Sequence, residues 1–250
     1  MPVHQLSDMT WEEVRDADLA RSVAILPVGA VEAHGPHLPL GTDGIIAEAM
    51  ARESARLLSD QGRTAFVLPT VWYTAAPFAE AFPGTISVQA ETVRRLIGDI
   101  GASLSGQGIP TLAIANAHLD PAHVGALRTA EREPAEGIRV VFADLTRRAN
   151  AARMTEEFKT GACHAGRYEG SVVLAEEPRL VRTEIAEALD PNPNSLSEAI
   201  GQGAASFADA GGDRAYFGWP AEATAAEGQD TVKVLGALLA EAVLNDEGGR

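Results

Sequence analysis

The apolar positions of the chain alternate between short continuous runs and longer helical repeats. Residues 22–29 (SVAILPVG) are almost all apolar, and the run is short enough for a strand that is buried on both faces. From Ile45 to Gln61 the apolar residues recur at helical spacing, and Gly62 follows where a helix commonly ends. The pattern therefore predicts a buried strand that leads into a helix.

The same alternation continues along the next 80 residues. Apolar runs predict strands at residues 64–71, 109–115 and 138–142, and helical spacing predicts helices at residues 93–104 and 121–132. Strands that alternate with helices in this way predict an α/β fold, in which a mainly parallel sheet has helices on both faces.

Outside this region the pattern is weaker. Thr10 and Glu13 have the spacing of a capping box and predict a short helix before the first strand. Residues 169–175 indicate a short helix, 190–195 a loop and 232–244 an amphipathic helix. Since there is no internal repeat and no long linker, we expect one domain over residues 1–250.

Composition and charge limit the classes of partner. Hydrophobic residues make up 46% and charged residues 22% of the 250 residues, which is ordinary for a globular protein. The formal net charge of −15 disfavours binding to nucleic-acid phosphates or to anionic membrane surfaces. No apolar run is long enough to span a membrane, and the first residues do not form a signal peptide. We therefore expect a soluble, cytoplasmic protein that acts on a small molecule.

Five of the six histidines lie in three short clusters. The single cysteine, Cys163, excludes an internal disulfide and a thiolate cluster. A metal site in this chain must therefore use imidazole and carboxylate ligands.

The first cluster follows the first predicted strand and reads EAHGPHLPLGTD at residues 32–43. Glu32 and His34 are two apart, so both point the same way from an extended segment. The glycines and prolines after His34 form a rigid turn that can bring Asp43 back towards them. Asp43 could instead cap the next helix, and Glu32 could be a solvated loop carboxylate. The clustering of all three favours a metal site.

The second cluster follows the third predicted strand and reads NAHLDPAH at residues 116–123. His118 and Asp120 repeat the two-apart spacing. Asp120 followed by Pro121 is also the pattern of a helix N-cap and first helical residue, so the ligand and capping roles both stay open. We interpret His123, on the first turn of that helix, as structural.

Ligands in parallel α/β folds bind beyond the carboxyl ends of the strands. Glu32, Trp72 and His118 follow three different predicted strands, so we expect them to meet at one edge of the sheet. The third cluster, HAGRYEGS at residues 164–171, is a weak signal by itself.

Together the three motifs resemble the creatininase (creatinine amidohydrolase) family. Its first signature reads Pro-Val-Gly-x-x-Glu-x-His-Gly-Pro-His-Leu-Pro-Leu-x-Thr-Asp, and residues 27–43 match it almost throughout. The resemblance extends from Thr10 to the segment YFGWP at residues 216–220. It implies a three-layer, creatininase-like fold and a homo-oligomer, commonly a hexamer.

The resemblance also implies two divalent metal ions per chain, both bound by Asp43. Glu32 and His118 would complete one site, and His34 and Asp120 the other. His164 would be the proton donor and Glu169 a supporting carboxylate. Zinc is the expected metal, and manganese or Fe(II) would suit the same ligands.

Such a pair of ions would lower the pKa of a shared water and polarise a carbonyl. We therefore predict an amidohydrolase that cleaves an amide or cyclic-amide C–N bond of a small polar substrate. Two alternatives stay open. The same site could hydrolyse a formamide, a peptide terminus or a ring C–C bond of a cyclic ketone, or the protein could be a non-catalytic, metal-stabilised binding module.

The chain departs from the family pattern near the substrate. Arg167 replaces the first Glu of the third motif, Gly170 replaces its Thr, and residues 119–121 read LDP where most members have Gly-Gly-Asn. We therefore do not expect creatinine itself as substrate. The predicted substrate-binding residues are Trp72, Tyr73, Leu119 and Arg167, with a bidentate contact from Arg167 to a substrate carboxylate.

Overall fold

The structure, a computed structural model, describes residues 4–245. These residues form a sheet of five parallel strands in the order β1-β3-β2-β4-β5. The strands are β1 (His4–Gln5), β2 (Ser22–Val28), β3 (Thr64–Val67), β4 (Thr111–Asn116) and β5 (Arg139–Phe142). In the central register, Ile25 of β2 pairs with Val67 on one side and Ala113 on the other. The predicted α/β fold with a mainly parallel sheet is confirmed.

Helices cover both faces of this sheet. They are α1 (Trp11–Arg15), α2 (Thr42–Asp60), α3 (Ala90–Gly106), α4 (Pro121–Arg132), α5 (Arg148–Ala151), α6 (Glu156–Thr160), α7 (Arg167–Glu176), α8 (Thr183–Glu187), α9 (Leu196–Gly201) and α10 (Ala225–Asn245). Side chains alternate along β2: Ile25 packs with α2, α7 and α10, whereas Leu26 packs with α3 and α4. The result is three layers with a core on each side of the sheet.

Most predicted boundaries agree with the structure. Helix α4 begins at Pro121 and ends at Arg132, and Thr10 and Glu13 form the predicted capping box of α1. Strand β3 ends at Val67 rather than at residue 71, because Pro69 has no N–H to continue the ladder. Helix α2 begins at Thr42, three residues earlier than predicted, and Gly41 is its N-cap. Neither Thr42 nor Asp43 therefore caps this helix.

Beyond residue 147 the apolar pattern predicted fewer of the observed helices. Five short helices, α5 to α9, occupy residues 148–201, and α10 begins at Ala225 rather than at residue 232. Strand β1 has two residues, too few to show any periodicity. Within residues 4–245, no helix has both the length and the apolar character needed to cross a membrane.

Candidate metal centre

Five predicted side chains meet beyond the carboxyl ends of β2 and β4. Glu32 and His34 follow β2, and His118 follows β4. Asp43 lies in the first turn of α2 and Glu169 in the first turn of α7. All five side chains are buried. The sheet edge predicted from the motifs is thus the place where they converge.

Gly29 explains how α2 can bring Asp43 so close to the end of β2. A Cβ added at Gly29 would lie 2.5 Å from the Gly44 nitrogen and 2.7 Å from the Asp43 carbonyl carbon. Only a residue without a side chain permits this approach of strand and helix backbones. Asp43 is therefore positioned by backbone packing at the strand end.

Asp43 lies at the centre of the cluster. Its Oδ1 is 3.2 Å from His34 Nε2, and its Oδ2 is 3.1 Å from His118 Nδ1. Glu32 Oε1 is 3.2 Å from His118 Nδ1, and Glu169 Oε2 is 3.5 Å from His34 Nε2. Each imidazole therefore faces Asp43 and at least one glutamate, and His34 Nε2 is also 3.9 Å from Glu32 Oε1.

The donor atoms form overlapping groups, each with the compactness of a metal site. Glu32, Asp43 and His118 offer one set of atoms within 4.8 Å of one another, and His34, Asp43 and Glu169 offer a second. A third set consists of Glu32, His34 and His164. Because the groups overlap, the arrangement is consistent with a binuclear metal site.

Several of these nitrogen and oxygen atoms form no hydrogen bond with another described residue. Glu32 Oε2, His34 Nε2 and Asp43 Oδ2 are buried and have no hydrogen-bond partner in the described part of the chain. Unsatisfied buried polar atoms are rare in proteins and costly. Three of them in one imidazole and carboxylate cluster fit the ligand set of a bound divalent cation.

Backbone carbonyls fix the orientation of both imidazoles. His118 Nε2 donates to the Ala75 carbonyl at 2.8 Å, and His34 Nδ1 lies 3.2 Å from the Glu32 carbonyl oxygen. These contacts leave His118 Nδ1 and His34 Nε2 as the nitrogens that face the carboxylates. A metal-binding histidine is commonly held in this way through its other nitrogen.

A second contact orients the segment that carries His118. Asn116 Nδ2 donates to the His118 carbonyl at 2.6 Å, and Asn116 Oδ1 lies 2.9 Å from His123 Nε2. His123 is fully buried, and its ring packs 5.0 Å from that of His118. The structural role inferred for His123 agrees with this position.

The pKa values in the metal-free protein reflect mutual stabilisation. Burial lowers the pKa of His34, but Asp43 and Glu169 outweigh it and raise the pKa to about 10. Burial raises the pKa of Asp43, but His34 and His118 hold it well below its usual range. For Glu169, burial together with Asp43 raises the pKa to about 8, against the effect of His34. Without a metal ion, His34 and Glu169 therefore keep their protons near neutral pH.

We predict that the metal-free protein loses stability as pH rises from 6 to 9. The folded-state pKa is above the ordinary value for both His34 (6.5) and Glu169 (4.5), so the folded state binds their protons more tightly. Their contributions are complete below the ordinary values and are lost as pH rises through about 8 for Glu169 and about 10 for His34. Thermal unfolding in the presence of a chelator should show the midpoint falling by several degrees.

Metal-loaded protein is the control for this prediction. Metal ions bind deprotonated ligands, so the loaded protein should keep or gain stability over the same pH range. A midpoint that is constant or rises with pH in the metal-free protein would contradict the prediction.

His164 lies beside the cluster. Its ring packs between those of His34, at 4.4 Å, and Phe207, at 4.2 Å. Its Nε2 donates to the Ala33 carbonyl at 2.9 Å, and its Nδ1 lies 3.8 Å from Glu32 Oε1. Burial, and the positive charge of His34, hold the pKa of His164 well below its usual range. His164 is therefore neutral near pH 7, with the Nδ1 lone pair directed towards the site.

Asp120 occupies the helix-cap role, one of the two roles that the sequence left open. Its Oδ1 accepts the Ala122 N–H at 2.8 Å as the N-cap of α4, and its Oδ2 accepts the Phe78 N–H at 3.1 Å. Both oxygens therefore satisfy backbone donors, and Asp120 belongs to none of the donor groups found among residues 4–245. Glu169 lies instead beside His34 and Asp43.

Glu169 is held by a strained residue. Ala165 has a φ of +50°, a conformation that residues other than glycine rarely adopt, and its N–H donates to Glu169 Oε2 at 2.6 Å. Strain of this kind persists only where the surroundings enforce it and is common at functional sites. Ala165 thus helps to fix the carboxylate of Glu169 near the metal ligands.

A cavity of about 420 Å³ opens beside the cluster. Glu32, Asp43, His118, His164 and Glu169 lie at its inner end. Most of its wall is apolar, and includes Leu119, Val124, Leu145, Phe158, Ile200 and Phe207. Cys163 also lines it, and burial raises the pKa of this thiol to about 12, so it stays protonated. The site can therefore accept a largely apolar ligand next to the metal ligands.

Of the four predicted substrate-binding residues, the structure brings only Leu119 to this cavity. Trp72 packs against Gly44: a Cβ added there would lie 2.0 Å from the indole ring. Tyr73 is 55% exposed. Arg167 is paired with Glu222 at 3.0 Å and Glu227 at 3.2 Å, so the expected contact from its guanidinium to a substrate carboxylate lacks support.

Several cavity residues were not predicted from sequence. Phe207 and Ile200 come from the segment with weak periodicity, and no local motif marks them. Arg128 and Lys159 also line the cavity. Arg128 was within reach of the sequence pattern, because it lies seven residues after Pro121 on a correctly predicted helix.

A match to a protein-family model over most of the chain identifies the family. The creatininase model, described as creatinine amidohydrolase, matches residues 7–243. The chain belongs to the creatininase family. It is a hydrolase of that family with buried histidine and carboxylate clusters suited to metal, as the resemblance of its motifs implied.

Three proteins illustrate the range of the creatininase family. The mycofactocin precursor peptide peptidase of Mycobacterium tuberculosis (strain CDC 1551 / Oshkosh) is 34% identical over 213 residues, covering 82% of this chain and 78% of that protein. The creatinine amidohydrolase of Pseudomonas putida is 28% identical over 121 residues, covering 46% and 45%. A solved mutant creatininase named as a Zn-Zn type has a TM-score of 0.74 at 22% identity, covering 98% of this chain and 99% of that one. This last likeness shows the creatininase fold.

Proposed function

We propose that this creatininase-family hydrolase cleaves a peptide bond near a peptide terminus. A peptide bond is an amide, so the predicted reaction is kept, whereas the expected small polar substrate gives way to the peptide-terminus alternative. The similarity to a protein named as a peptidase extends over four-fifths of the chain. The similarity to a creatinine amidohydrolase extends over less than half.

The apolar wall of the cavity carries the proposal. Val124 and Leu145 are buried residues that form part of that wall, and Ile200 also lines it. A small polar ring would leave this apolar surface in contact with water. Apolar side chains of a peptide would cover it, at roughly 25 cal/mol per Å² buried.

We propose that Glu32, Asp43 and His118 hold one divalent ion, and that His34, Asp43 and Glu169 hold the other. Zinc is the metal proposed first, because imidazole and carboxylate ligands suit it and because a protein of the same fold is named as a Zn-Zn type. Manganese and Fe(II) suit the same ligands. Two such ions supply an activated water and polarise the scissile carbonyl.

We propose that His164 moves the proton. Its Nε2–H is committed to the Ala33 carbonyl, so proton transfer must use Nδ1. Because the imidazole is neutral at pH 7, Nδ1 accepts a proton from the attacking water and then donates it to the departing nitrogen. The ring of Phe207, 4.2 Å away and tilted by 30°, packs against the imidazole and restricts its orientation.

Mass spectrometry of reaction products tests the proposal. Zinc-loaded protein is incubated with N-acetylated hexapeptides, and separately with creatinine and with a formamide. We expect hydrolysis of the peptides, with the mass of one water added across the products, and at least about a hundredfold lower rates on creatinine. Hydrolysis of creatinine or the formamide without peptide cleavage would overturn the peptide substrate. A metal-loaded protein that hydrolyses none of them would favour the binding module.

The homo-oligomer implied by the creatininase resemblance stays a prediction. Leu40, Tyr73 and Ile86 are large apolar side chains that the described chain leaves exposed. Burial of such residues between subunits would favour association.

A further inference from the structure

The cavity runs along helix α4, away from the metal ligands. Pro121, Val124 and Arg128 all line it, and their spacing of three and four residues places them on one face of α4. His118 lies just before this helix, at the metal end. With a rise of about 1.5 Å per residue, Arg128 is about 10 Å farther along the helix axis than Pro121. Arg128 therefore lies about 10 Å along α4 from the end of the helix that follows His118.

Two cationic side chains line the cavity. Among residues 4–245, Arg128 of α4 and Lys159 of α6 are the lysine and arginine side chains that line it. Their side chains are 40% and 38% exposed, so they can meet a ligand without losing all of their hydration. In a protein with a net charge of −15, two cations beside an apolar cavity are a distinct local feature.

Both cations have capacity for a further anion. Asp144 and Thr146 hold Arg128 through Nε and Nη2, which leaves Nη1 as the nitrogen for which the described residues provide no hydrogen bond. Lys159 Nζ is 2.7 Å from Glu156, whose side chain is 83% exposed. An exposed ion pair of this kind contributes little, so a ligand carboxylate can compete with Glu156 for the ammonium.

We propose that Arg128 and Lys159 bind the terminal carboxylate of the substrate. This inference rests on the proposed peptide hydrolysis and adds a direction to it: the cavity takes the carboxyl-terminal end of the peptide. A terminal ammonium would meet two like charges at this position. An extended peptide spans about 3.3–3.6 Å per residue, so about three residues fit between the scissile bond and the carboxylate. Their side chains contact the apolar wall.

Two pools of N-acetylated hexapeptides test this inference. Both vary in the last three positions; one pool ends in a free carboxylate and the other in a carboxamide. We expect the zinc-loaded wild-type protein to cleave the acid pool about tenfold faster, as kcat/KM, and to release carboxyl-terminal fragments of up to about three residues. Lys159→Met should lower cleavage of the acid pool about tenfold and leave the amide pool unchanged.

Lys233→Met is the matched control. Lys233 forms an exposed i,i+3 pair with Asp230 at 2.8 Å, as Lys159 does with Glu156, but it lies outside the cavity. We expect this variant to match the wild type on both pools. Lys159 is a better probe than Arg128, because Arg128→Met would leave the buried Asp144 without a main partner.

The outcomes separate the two proposals. Equal cleavage of the acid and amide pools by the wild type, or an equal loss on both pools in Lys159→Met, would overturn the carboxylate site and leave peptide hydrolysis standing. Cleavage close to the acetylated end, which would give carboxyl-terminal fragments longer than about three residues, would do the same. Failure to cleave either pool would overturn peptide hydrolysis itself.

Discussion

Replacing Asp43 with asparagine is expected to remove both metal ions and to lower hydrolysis by roughly a thousandfold or more. Asp43 is the residue shared by the two proposed ion sites, with Oδ1 facing His34 and Oδ2 facing His118. Asparagine keeps the shape but replaces one charged oxygen by an NH₂ group that cannot bind a cation. One site would lose its Asp43 ligand and the other would keep only a neutral amide oxygen, and the repulsion between the two ions would lose the anion that offsets it.

Elemental analysis and activity measure this effect. We expect about two ions per chain in wild-type protein purified without chelator and fewer than one in Asp43→Asn. Asp60→Asn, an exposed position at the other end of α2, is the control and should keep both metal and activity. Thermal unfolding shows whether the variant is folded. Full metal content in folded Asp43→Asn, or no transition metal in the wild type, would contradict the proposed centre.

The sequence predicted strands and helices well where burial gives the apolar positions a recognisable pattern. The residues of β2 and β4 are buried on both faces, so their apolar runs are continuous, and α4 has caps at its first residues. Helices α5 and α6 have four and five residues, too few for a helical repeat to emerge. That region supplies Lys159 and part of the cavity, so the shape of the cavity could not be predicted.

The proposed metal ligands were predictable for a local reason. Glu32, His34 and His118 follow the central strands directly, and parallel strands end at a common edge. The face on which a side chain lies is harder to predict. Trp72 also follows a strand, yet it packs over Gly44 at the start of α2 rather than into the cavity. That choice depends on contacts between elements, which spacing alone does not specify.

For the charged residue Asp120, too, contacts between elements decide the role of the side chain. The sequence left its role open between a metal ligand and a helix cap. The contact that commits its second oxygen comes from the Phe78 N–H, 42 residues away in sequence. No local pattern reports such a distant donor, so the sequence could not show that both oxygens of Asp120 accept backbone N–H groups.

Glu169→Gln and Asp120→Asn form a matched pair that decides which carboxylate completes the second site. We expect Glu169→Gln to retain one metal ion per chain and to lose hydrolysis by about a hundredfold or more. Glutamine keeps an oxygen to accept the Ala165 N–H, so α7 should stay in place. The lost ion is the one that His34, Asp43 and Glu169 are proposed to hold, because its remaining protein ligands would be His34 and the shared Asp43.

Asp120→Asn should have the opposite profile. Asparagine is a good N-cap, so its oxygen can still accept the Ala122 N–H, but its NH₂ group would then face the Phe78 N–H. We expect two ions per chain, hydrolysis within about threefold of the wild type, and a loss of about 1 kcal/mol in the free energy of unfolding. Metal titration and chemical denaturation measure the two effects separately. If Asp120→Asn lost one ion and Glu169→Gln kept both, Asp120 would be the ligand, and α4 would have to release its cap when metal binds.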